Sequence, residues 1–232
     1  MFSFEGFARI NAVLVSAYRI AWLNVLWTVA TVVGVVVLGI GPASYAMAKY
    51  VDRWFRLGET PPVARTFLRY ALEQRWRPVL VSWVLLGAGA VITVNLLAVS
   101  NWYVRVLNIV ALVVLAVACS YVFFVMAALD VPTIRGQITT ALVIGFGSLH
   151  WTVLAAVTVA VSHVLMFSFA LPLLLMFGVG IPVAVHALVM RGVLRQLDPS
   201  GAPDLAGPPR HAPTSRPAPG HLVRPLSLEG SS

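Results

Sequence analysis

Four long stretches of the sequence carry no charged residue, and they decide what this chain can fold into. They cover residues 20–48, 78–104, 106–129 and 136–190. A helix needs about 20 apolar residues to cross roughly 30 Å of hydrocarbon. Each of the first three stretches fits one crossing, and the last is long enough for two. The predicted membrane spans are therefore residues 21–47, 79–99, 106–129, 138–161 and 166–190, with the last turn near Ser162 to Ser168.

The composition excludes an ordinary soluble domain. The chain is 59% hydrophobic and 10% charged, whereas soluble domains contain about 25% charged residues. Backbone groups in hydrocarbon must bond within a helix or a closed barrel, and barrel strands alternate apolar and polar residues. These stretches do not alternate. The prediction is an all-α, polytopic membrane helix bundle of about five transmembrane helices, with the lipid bilayer as its surroundings. The net charge of +8 lies in the gaps between spans, so we expect no nucleic-acid partner.

Lysine and arginine placement predicts the orientation. Of the 16 such residues, all but Arg9, Arg19 and Arg105 fall after the first, third and fifth predicted spans. Loops rich in lysine and arginine stay in the cytoplasm. The N-terminus is therefore predicted outside and the C-terminus in the cytoplasm.

Two terminal segments differ from the predicted bundle, which covers 20–195. Residues 1–19 have apolar and charged residues on different helical faces, which predicts an amphipathic helix lying flat in the interface. The alternative is a simple extension of the first span. Residues 196–232 are rich in proline, glycine and alanine, which predicts a disordered tail, and the end at Leu228–Ser232 has the appearance of cloning residues.

The loop after the first span contains a second amphipathic helix, predicted over residues 60–77 on the cytoplasmic side. Thr60-Pro61-Pro62 is a helix-start signal. Arg65, Arg69 and Glu73 share one face, and Arg69 with Glu73 has the spacing of an i,i+4 ion pair. Such a helix binds anionic lipids of the inner leaflet or docks on a partner protein, and both alternatives stay open. The predicted docking residues are Arg53, Trp54, Arg65, Phe67, Arg69 and Trp76.

No catalytic constellation is visible, so we expect no enzyme activity and no cofactor. No predicted span contains an aspartate or glutamate, and the sequence has no phosphate-binding loop and no HExxH zinc motif. His150, His163 and His186 fall at different predicted depths, which argues against a metal site. Pro42, Pro172 and Pro182 should kink their spans. The residues predicted to make polar contacts inside the membrane, or alternatively to line a solute pathway, are Asn24, Asn95, Asn108 and His150.

Several short motifs resemble the YesL-like family of uncharacterised bacterial multi-span membrane proteins. They are Asn24-Val25-Leu26-Trp27, Gly41-Pro42-Ala43 with Tyr45 and Lys49, Arg53-Trp54 with Gly58-Glu59, and Gln137-Ile138-Thr139-Thr140-Ala141-Leu142. The resemblance covers roughly residues 5–195. It implies a multi-pass protein of the bacterial plasma membrane with an accessory role beside a carbohydrate ABC import system, and it supplies no catalytic residues.

Two hypotheses for function follow. The first is a non-enzymatic membrane accessory or subunit, associated with a carbohydrate ABC importer and docking through the 60–77 helix. The second is a stand-alone carrier or channel for a neutral solute.

Overall fold

The computed structural model describes residues 4–74, 76–129 and 131–197, and all regular secondary structure in this part is helical. The predicted all-α fold is confirmed. The predicted disordered tail lies outside the described residues from 198 onward. The helices are α1 Phe4–Val33, α2 Ile40–Leu57, α3 Val63–Glu73, α4 Arg77–Ala98, α5 Trp102–Ala128, α6 Ile134–Gly147, α7 Leu149–Phe169, α8 Leu171–Phe177 and α9 Gly180–Leu197.

Within the described residues, four helices are long and apolar enough to cross a membrane. They are α1 from Gly6, α4, α5 and α7, and the pair α8 and α9, bent by 48°, would make a fifth span. The predicted number of spans is confirmed at four to five. The predicted spans 79–99 and 106–129 correspond to α4 and α5, with ends that differ by a few residues. The orientation of the termini stays a prediction.

The first predicted span, 21–47, is wrong in its boundaries. Helix α1 runs from Phe4 to Val33 without a break near residue 19, as the extension alternative expects, and the chain then reverses into α2. Gly34 and Gly39 face each other so closely that a Cβ on Gly34 would collide with the backbone of Gly39. Between them Val35 and Val36 adopt left-handed φ angles of 55° and 59°, which are strained for branched side chains. The two glycines thus allow the chain to reverse direction between α1 and α2. The hydropathy pattern does not show this reversal, because the residues between the glycines are apolar.

Helix α2 packs antiparallel to α1 after this reversal. The Trp27 indole nitrogen donates to the Ser44 hydroxyl at 3.1 Å, and the Arg19 guanidinium lies 5.5 Å from the ring centre of Trp54. The two contacts are spaced symmetrically about the turn, as a helical hairpin requires. Whether the first 19 residues lie in the interface stays a prediction, but they form no separate helix from Phe4 onward.

The boundary between the fourth and fifth predicted spans is also wrong. The predicted turn near Ser162 to Ser168 lies inside α7, and the chain breaks instead at Ser148 and at Ala170. The Ser162 hydroxyl donates to the Thr158 carbonyl oxygen at 2.7 Å. A serine that bonds to the preceding turn does not need to end a helix, so its polarity was a misleading signal.

The three prolines that were expected to kink spans stand in first turns of helices. Pro42 is in the first turn of α2, Pro172 in that of α8 and Pro182 in that of α9. The first turn has no intrahelical acceptor for its N–H groups, so proline breaks no bond there. These prolines therefore mark helix starts rather than kinks.

Helix α2 lies at the centre of the packed unit and contacts α1, α3, α4, α5 and α9. Tyr45 and Tyr50 of this helix are fully buried, together with Tyr121 of α5 and Met190 of α9. Gly41 lies directly against the Pro78 backbone, where a Cβ would collide. This close approach fixes the start of α4 beside the start of α2, and α3, which connects them along the chain, packs on α2 and α1.

Candidate functional site

Helix α3 has one buried and one exposed face. Thr66, Phe67 and Tyr70 are buried. On the other side the side chains reach solvent or lipid, with Leu68 60% and Leu72 69% exposed. We define the docking face as five exposed residues of α3 and its C-terminal connection: Arg65, Leu68, Arg69, Leu72 and Trp76. Ala64 and Glu73 of α3 are exposed as well, and Glu73 is paired with a residue of α2. The docking face therefore presents two cations and three large apolar groups together.

The predicted docking residues divide between this face and the interior. Arg65, Arg69 and Trp76 are exposed, as predicted. Phe67 is only 2% exposed, because it lies on the side of α3 that packs against the core. Phe67 is therefore a core residue, and its assignment to docking was wrong. Trp54 is half-buried, with its ring 4.9 Å from that of Phe55 and beneath Arg19.

Lys49 of α2 holds α3 in place. Its ammonium group donates to both carboxylate oxygens of Glu73, at 2.7 and 2.6 Å, and to the Tyr45 hydroxyl at 3.3 Å. It also lies 4.8 Å from the ring centre of Tyr70, a cation–π contact. Burial alone would lower the pKa of Lys49, but the hydrogen bonds with Glu73 and Tyr45 outweigh it and raise the pKa. Lys49 is the lone lysine of the sequence, and its charge serves a contact between helices.

This contact replaces a predicted one. The i,i+4 pair of Arg69 with Glu73 does not form, because Lys49 occupies the Glu73 carboxylate. The Arg69 guanidinium lies over the Tyr70 ring instead, 5.4 Å from its centre. A lysine 24 positions away in the sequence is closer to this carboxylate than the arginine one turn before it.

The connection between α2 and α3 is held by polar contacts. Arg53 donates to both oxygens of Glu59, at 2.8 and 2.9 Å, and the Tyr50 hydroxyl donates to the Pro61 carbonyl oxygen at 2.9 Å. Gly58 ends α2 with a left-handed φ of 70°, which glycine adopts without strain. The hydrogen bond from Arg53 lowers the pKa of Glu59. This arrangement assigns Arg53 to the loop rather than to a partner.

The carboxylates around α3 are all occupied. Asp52 is bound by Arg56 at 2.9 Å, Glu59 by Arg53 and Glu73 by Lys49. In the part of the chain that the structure describes, no ion pair involves Arg65 or Arg69. The docking face therefore carries two positive charges that have no carboxylate partner among residues 4–74, 76–129 and 131–197.

The residues predicted to make intramembrane polar contacts do not come together. The Asn24 amide donates to the Leu175 carbonyl oxygen at 2.7 Å and accepts from the backbone N–H groups of Val179 and Gly180 at 3.0 Å. Asn24 thereby supplies hydrogen-bond partners to backbone groups at the break between α8 and α9. The ring of His163 in α7 contacts the Gly178 carbonyl oxygen at the same break. A buried side chain can replace missing helical bonds in this way.

The other three serve separate places. Asn108 donates to the Val104 carbonyl oxygen of its own helix at 2.8 Å, and His150 is exposed with its ring 5.2 Å from that of Trp151. Among the described contacts, the Asn95 side chain has no hydrogen bond. A cavity of about 320 Å³ between α1, α2, α4, α5 and α9 is lined by other residues, including Trp27, Ser44 and His186. Residues 4–74, 76–129 and 131–197 hold no group of three metal-ligating side chains.

Sequence reasoning missed Lys49, Leu68 and Leu72 as parts of this site. A signal existed for Leu68 and Leu72, because they alternate with Arg65 and Arg69 at helical spacing. Reading the helix as one apolar and one charged face concealed it, since the exposed side carries both kinds of residue. For Lys49, its position directly after the charge-free stretch 20–48 was the signal, but its partner could not be named from spacing.

Comparison with known proteins gives one family match, which covers the region that builds this site, and two similar relatives. The family described as "Protein of unknown function, DUF624" matches residues 20–96, from α1 to the end of α4. "Uncharacterized protein YesL" of Bacillus subtilis (strain 168) is 37% identical over 59 residues, which are 25% of this chain and 28% of YesL. "Uncharacterized protein YteU" of the same strain is 28% identical over 109 residues, which are 46% of this chain and 49% of YteU.

These matches span about half or less of each relative's own length. No solved structure matches this chain. The region of the family match contains α2 and α3 with Lys49, Glu73 and the whole docking face. The resemblance predicted from the short motifs is confirmed: this chain is a helical, membrane-type protein similar to YesL, YteU and, over residues 20–96, the DUF624 family.

Proposed function

We propose that this chain is a non-enzymatic accessory subunit of the bacterial plasma membrane that docks on a transporter through α3. The partner class that the YesL-like resemblance implies is a carbohydrate ABC import system. The chain would act by holding a rigid binding surface next to the bilayer rather than by moving a solute itself.

One observation carries the proposal. The docking face exposes Leu68, Leu72 and Trp76 by 60%, 69% and 64%, next to two arginines without a carboxylate partner in the described residues. Exposed apolar groups combined with arginine are typical of the centre of protein interfaces, where aromatic residues and arginine are enriched. The surfaces of α4 and α5 also expose apolar and aromatic residues beside an arginine, Arg77 and Arg105 respectively, but neither has two arginines one helical turn apart.

The docking face is held firmly from behind, which a binding surface needs. Phe67 and Tyr70 are buried against the core, and Lys49 fixes the end of α3 through Glu73. A surface that is ordered before binding loses less conformational entropy when a partner arrives. The internal contacts of α3 therefore support docking by a preformed helix.

A site-specific cross-link tests the proposal. A photo-reactive amino acid at Leu68 should cross-link to a permease or ATPase subunit of a carbohydrate ABC importer in the native host's membrane. The matched control is Leu97, an 84% exposed leucine at the end of α4, which should give no such product. Equal products from both positions, or none with any importer subunit at native expression, would count against the proposal.

A charge reversal provides the second arm. Arg65→Glu with Arg69→Glu should reduce the Leu68 cross-link severalfold, because like charges across an interface are repulsive. Arg9→Glu with Arg105→Glu changes the net charge equally at two exposed arginines outside the docking face, and it should leave the cross-link intact. Equal losses in both double variants would assign the effect to overall charge.

The contacts inside the bundle favour this role over a carrier or channel. A neutral solute needs a continuous polar path, and the residues predicted for one contact different neighbours. Asn24 supports a helix break and Asn108 its own helix. Neither lines the cavity of about 320 Å³. We therefore do not propose solute transport through this chain alone.

A further inference from the structure

We propose that the α3 surface binds one anionic phospholipid, with its phosphate on Arg65 and Arg69 and an acyl chain between α3 and the bundle. This inference deepens the proposed function by naming a ligand of the docking face, and it rests on that function only in placing α3 at the bilayer. Two adjoining grooves, one basic and one apolar, carry the argument.

The first groove is basic and open. It has a volume of about 520 Å³ and is lined by Pro61, Pro62, Arg65, Thr66, Leu68, Arg69 and Leu72. Arg65 and Arg69 are one helical turn apart, so their side chains stand about 5–6 Å from each other at Cβ. Two guanidinium groups at this spacing can share one phosphate, and arginine binds phosphate oxygens with paired N–H donors. The prolines wall the end of the groove.

The second groove is apolar and lies on the other side of the same ridge. Its volume is about 500 Å³, and Leu68 and Leu72 line it as they line the first groove. The remaining walls come from α1, α2, the α1–α2 turn and α4, including Ala30, Val33 and Pro42. Trp76 lies at its border, and tryptophan is enriched where hydrocarbon meets headgroups. A molecule spanning both grooves must be anionic at one end and aliphatic at the other.

The charge of the surface selects the headgroup. The carboxylates of Asp52, Glu59 and Glu73 are bound by Arg56, Arg53 and Lys49, so they are not available to neutralise the docking face. A zwitterionic lipid would bring its own cation next to Arg65 and Arg69, whereas a lipid with net negative charge would not. Each arginine near a membrane surface contributes about 1 kcal/mol toward anionic lipid. The surface should therefore prefer phosphatidylglycerol over phosphatidylcholine.

Lipid titration of the purified full-length protein, followed by native mass spectrometry, tests the site. The probes are phosphatidylglycerol and phosphatidylcholine with identical acyl chains. Phosphatidylglycerol should bind more tightly to the unmodified protein. In Arg65→Ala with Arg69→Ala, its affinity should fall about 30-fold, from the loss of two surface arginines.

Two controls separate the parts of the site. Arg9→Ala with Arg105→Ala removes the same charge at exposed positions outside both grooves, and phosphatidylglycerol binding should stay within twofold of the unmodified protein. Leu72→Gln keeps both arginines and alters an exposed side chain, so folding should persist. It should weaken phosphatidylglycerol binding severalfold while soluble glycerol phosphate competes equally with both proteins.

Three results would overturn the lipid site. They are equal affinity for the two lipids, equal losses in the two arginine double variants, and full competition by glycerol phosphate at lipid concentration. The assay contains no protein partner, so its failure leaves the cross-linking test of the proposed function undecided. Conversely, selective lipid binding with no importer cross-link would support the lipid site and remove the accessory role.

Discussion

In the α2–α3 pair, polar side chains join one element to the next, whereas in α4, α5 and α7 many of them bond within their own helix. Lys49 reaches Glu73 and Tyr50 reaches Pro61. In the apolar helices the hydroxyl groups of Thr93, Ser120 and Thr158 each donate to the carbonyl oxygen four residues before them. Polar side chains thus connect different elements in the α2–α3 pair, whereas these hydroxyl groups of the apolar helices donate within their own helix.

The difference follows from what each region can use as a driving force. In hydrocarbon, apolar contact with a neighbouring helix replaces apolar contact with lipid, so close packing decides helix association. Small residues supply that packing here, as at Gly41 against Pro78. Helices α2 and α3 and the loop between them carry three of the four described acidic residues, Asp52, Glu59 and Glu73, and their ion pairs and the nearby cation–π contacts help to fix which face of α3 is turned outward.

The largest expected effect concerns Asn24, which lies in the apolar helix α1 but connects it to the break between α8 and α9. Asn24→Ala should lower the free energy of unfolding by about 3 kcal/mol, because the backbone groups of Leu175, Val179 and Gly180 would lose their partner in a buried place. Thermal unfolding in detergent measures the loss. Asn95→Ala is the matched control and should cost less than about 1 kcal/mol, and equal costs would contradict the assigned role of Asn24.

The second prediction concerns the backbone contact between the two regions. Gly41→Ala should cost about 2 kcal/mol, because its Cβ meets the Pro78 backbone and the Ser82 hydroxyl. Gly87→Ala places a Cβ where nothing lies within 4 Å, and it should be neutral or slightly stabilising, since alanine favours a helix interior. The melting temperatures of the two variants give the comparison. Similar shifts would show that α2 and α4 do not need this close approach.

A smaller effect is expected inside the α2–α3 pair. Lys49→Met removes a partly exposed ion pair and should cost about 1 kcal/mol of stability. Its local effect should be clearer, with faster hydrogen exchange over residues 63–73 as α3 loosens. Lys49→Arg keeps the charge and should retain most of the protection. Unchanged exchange in Lys49→Met would mean that Phe67 and Tyr70 hold α3 without the ion pair.

The smallest effect is a pH dependence of the α2–α3 loop. Because Arg53 lowers the pKa of Glu59, this pair contributes stability above the unfolded pKa of about 4.3. That contribution is lost as the pH falls through the lower, folded pKa. The difference in melting temperature between the protein and Glu59→Gln should therefore be constant near neutral pH and vanish in acid.

Lys49 should behave in the opposite direction, which sharpens the test. Its pKa is raised, so its contribution is complete below the unfolded value of about 10.4 and is lost as the pH rises through the folded pKa. On the alkaline side, the difference between the protein and Lys49→Met should shrink as the pH rises through that folded pKa, while the difference for Glu59→Gln should not change there. A loss of both differences in alkali would contradict the assignment of separate pairs.

Much of the fold was predictable because its signals are local. Charge-free stretches predicted α4 and α5, and the 3.6-residue pattern with Thr60-Pro61-Pro62 predicted α3. The reversal at Gly34 to Gly39 was not predictable, because apolar valines continue through it and the reason for it is a contact between two glycines. Likewise, Ser162 looked like a turn residue, yet its hydroxyl bonds within α7.

Half of the predicted docking residues are on the exposed face, and the rest show what local patterns omit. Phe67 was predicted to dock together with Arg65 although the two lie on different faces of the helix, and the packing of α3 on the core buries Phe67. Arg53 looked like a free cation until its loop placed Glu59 beside it. In both cases the deciding neighbour becomes visible only when the chain has folded back on itself.

The sequence by itself predicted a helical membrane protein of about five spans, with a basic amphipathic helix after the first of them. Those properties depend on hydropathy and charge averaged over neighbouring residues, which need no partner elsewhere in the chain. Only the tertiary structure decided where the spans break, that Lys49 rather than Arg69 pairs with Glu73, and which side of α3 remains free. Such choices depend on distances between segments far apart in the sequence, where small differences in packing determine which charges meet.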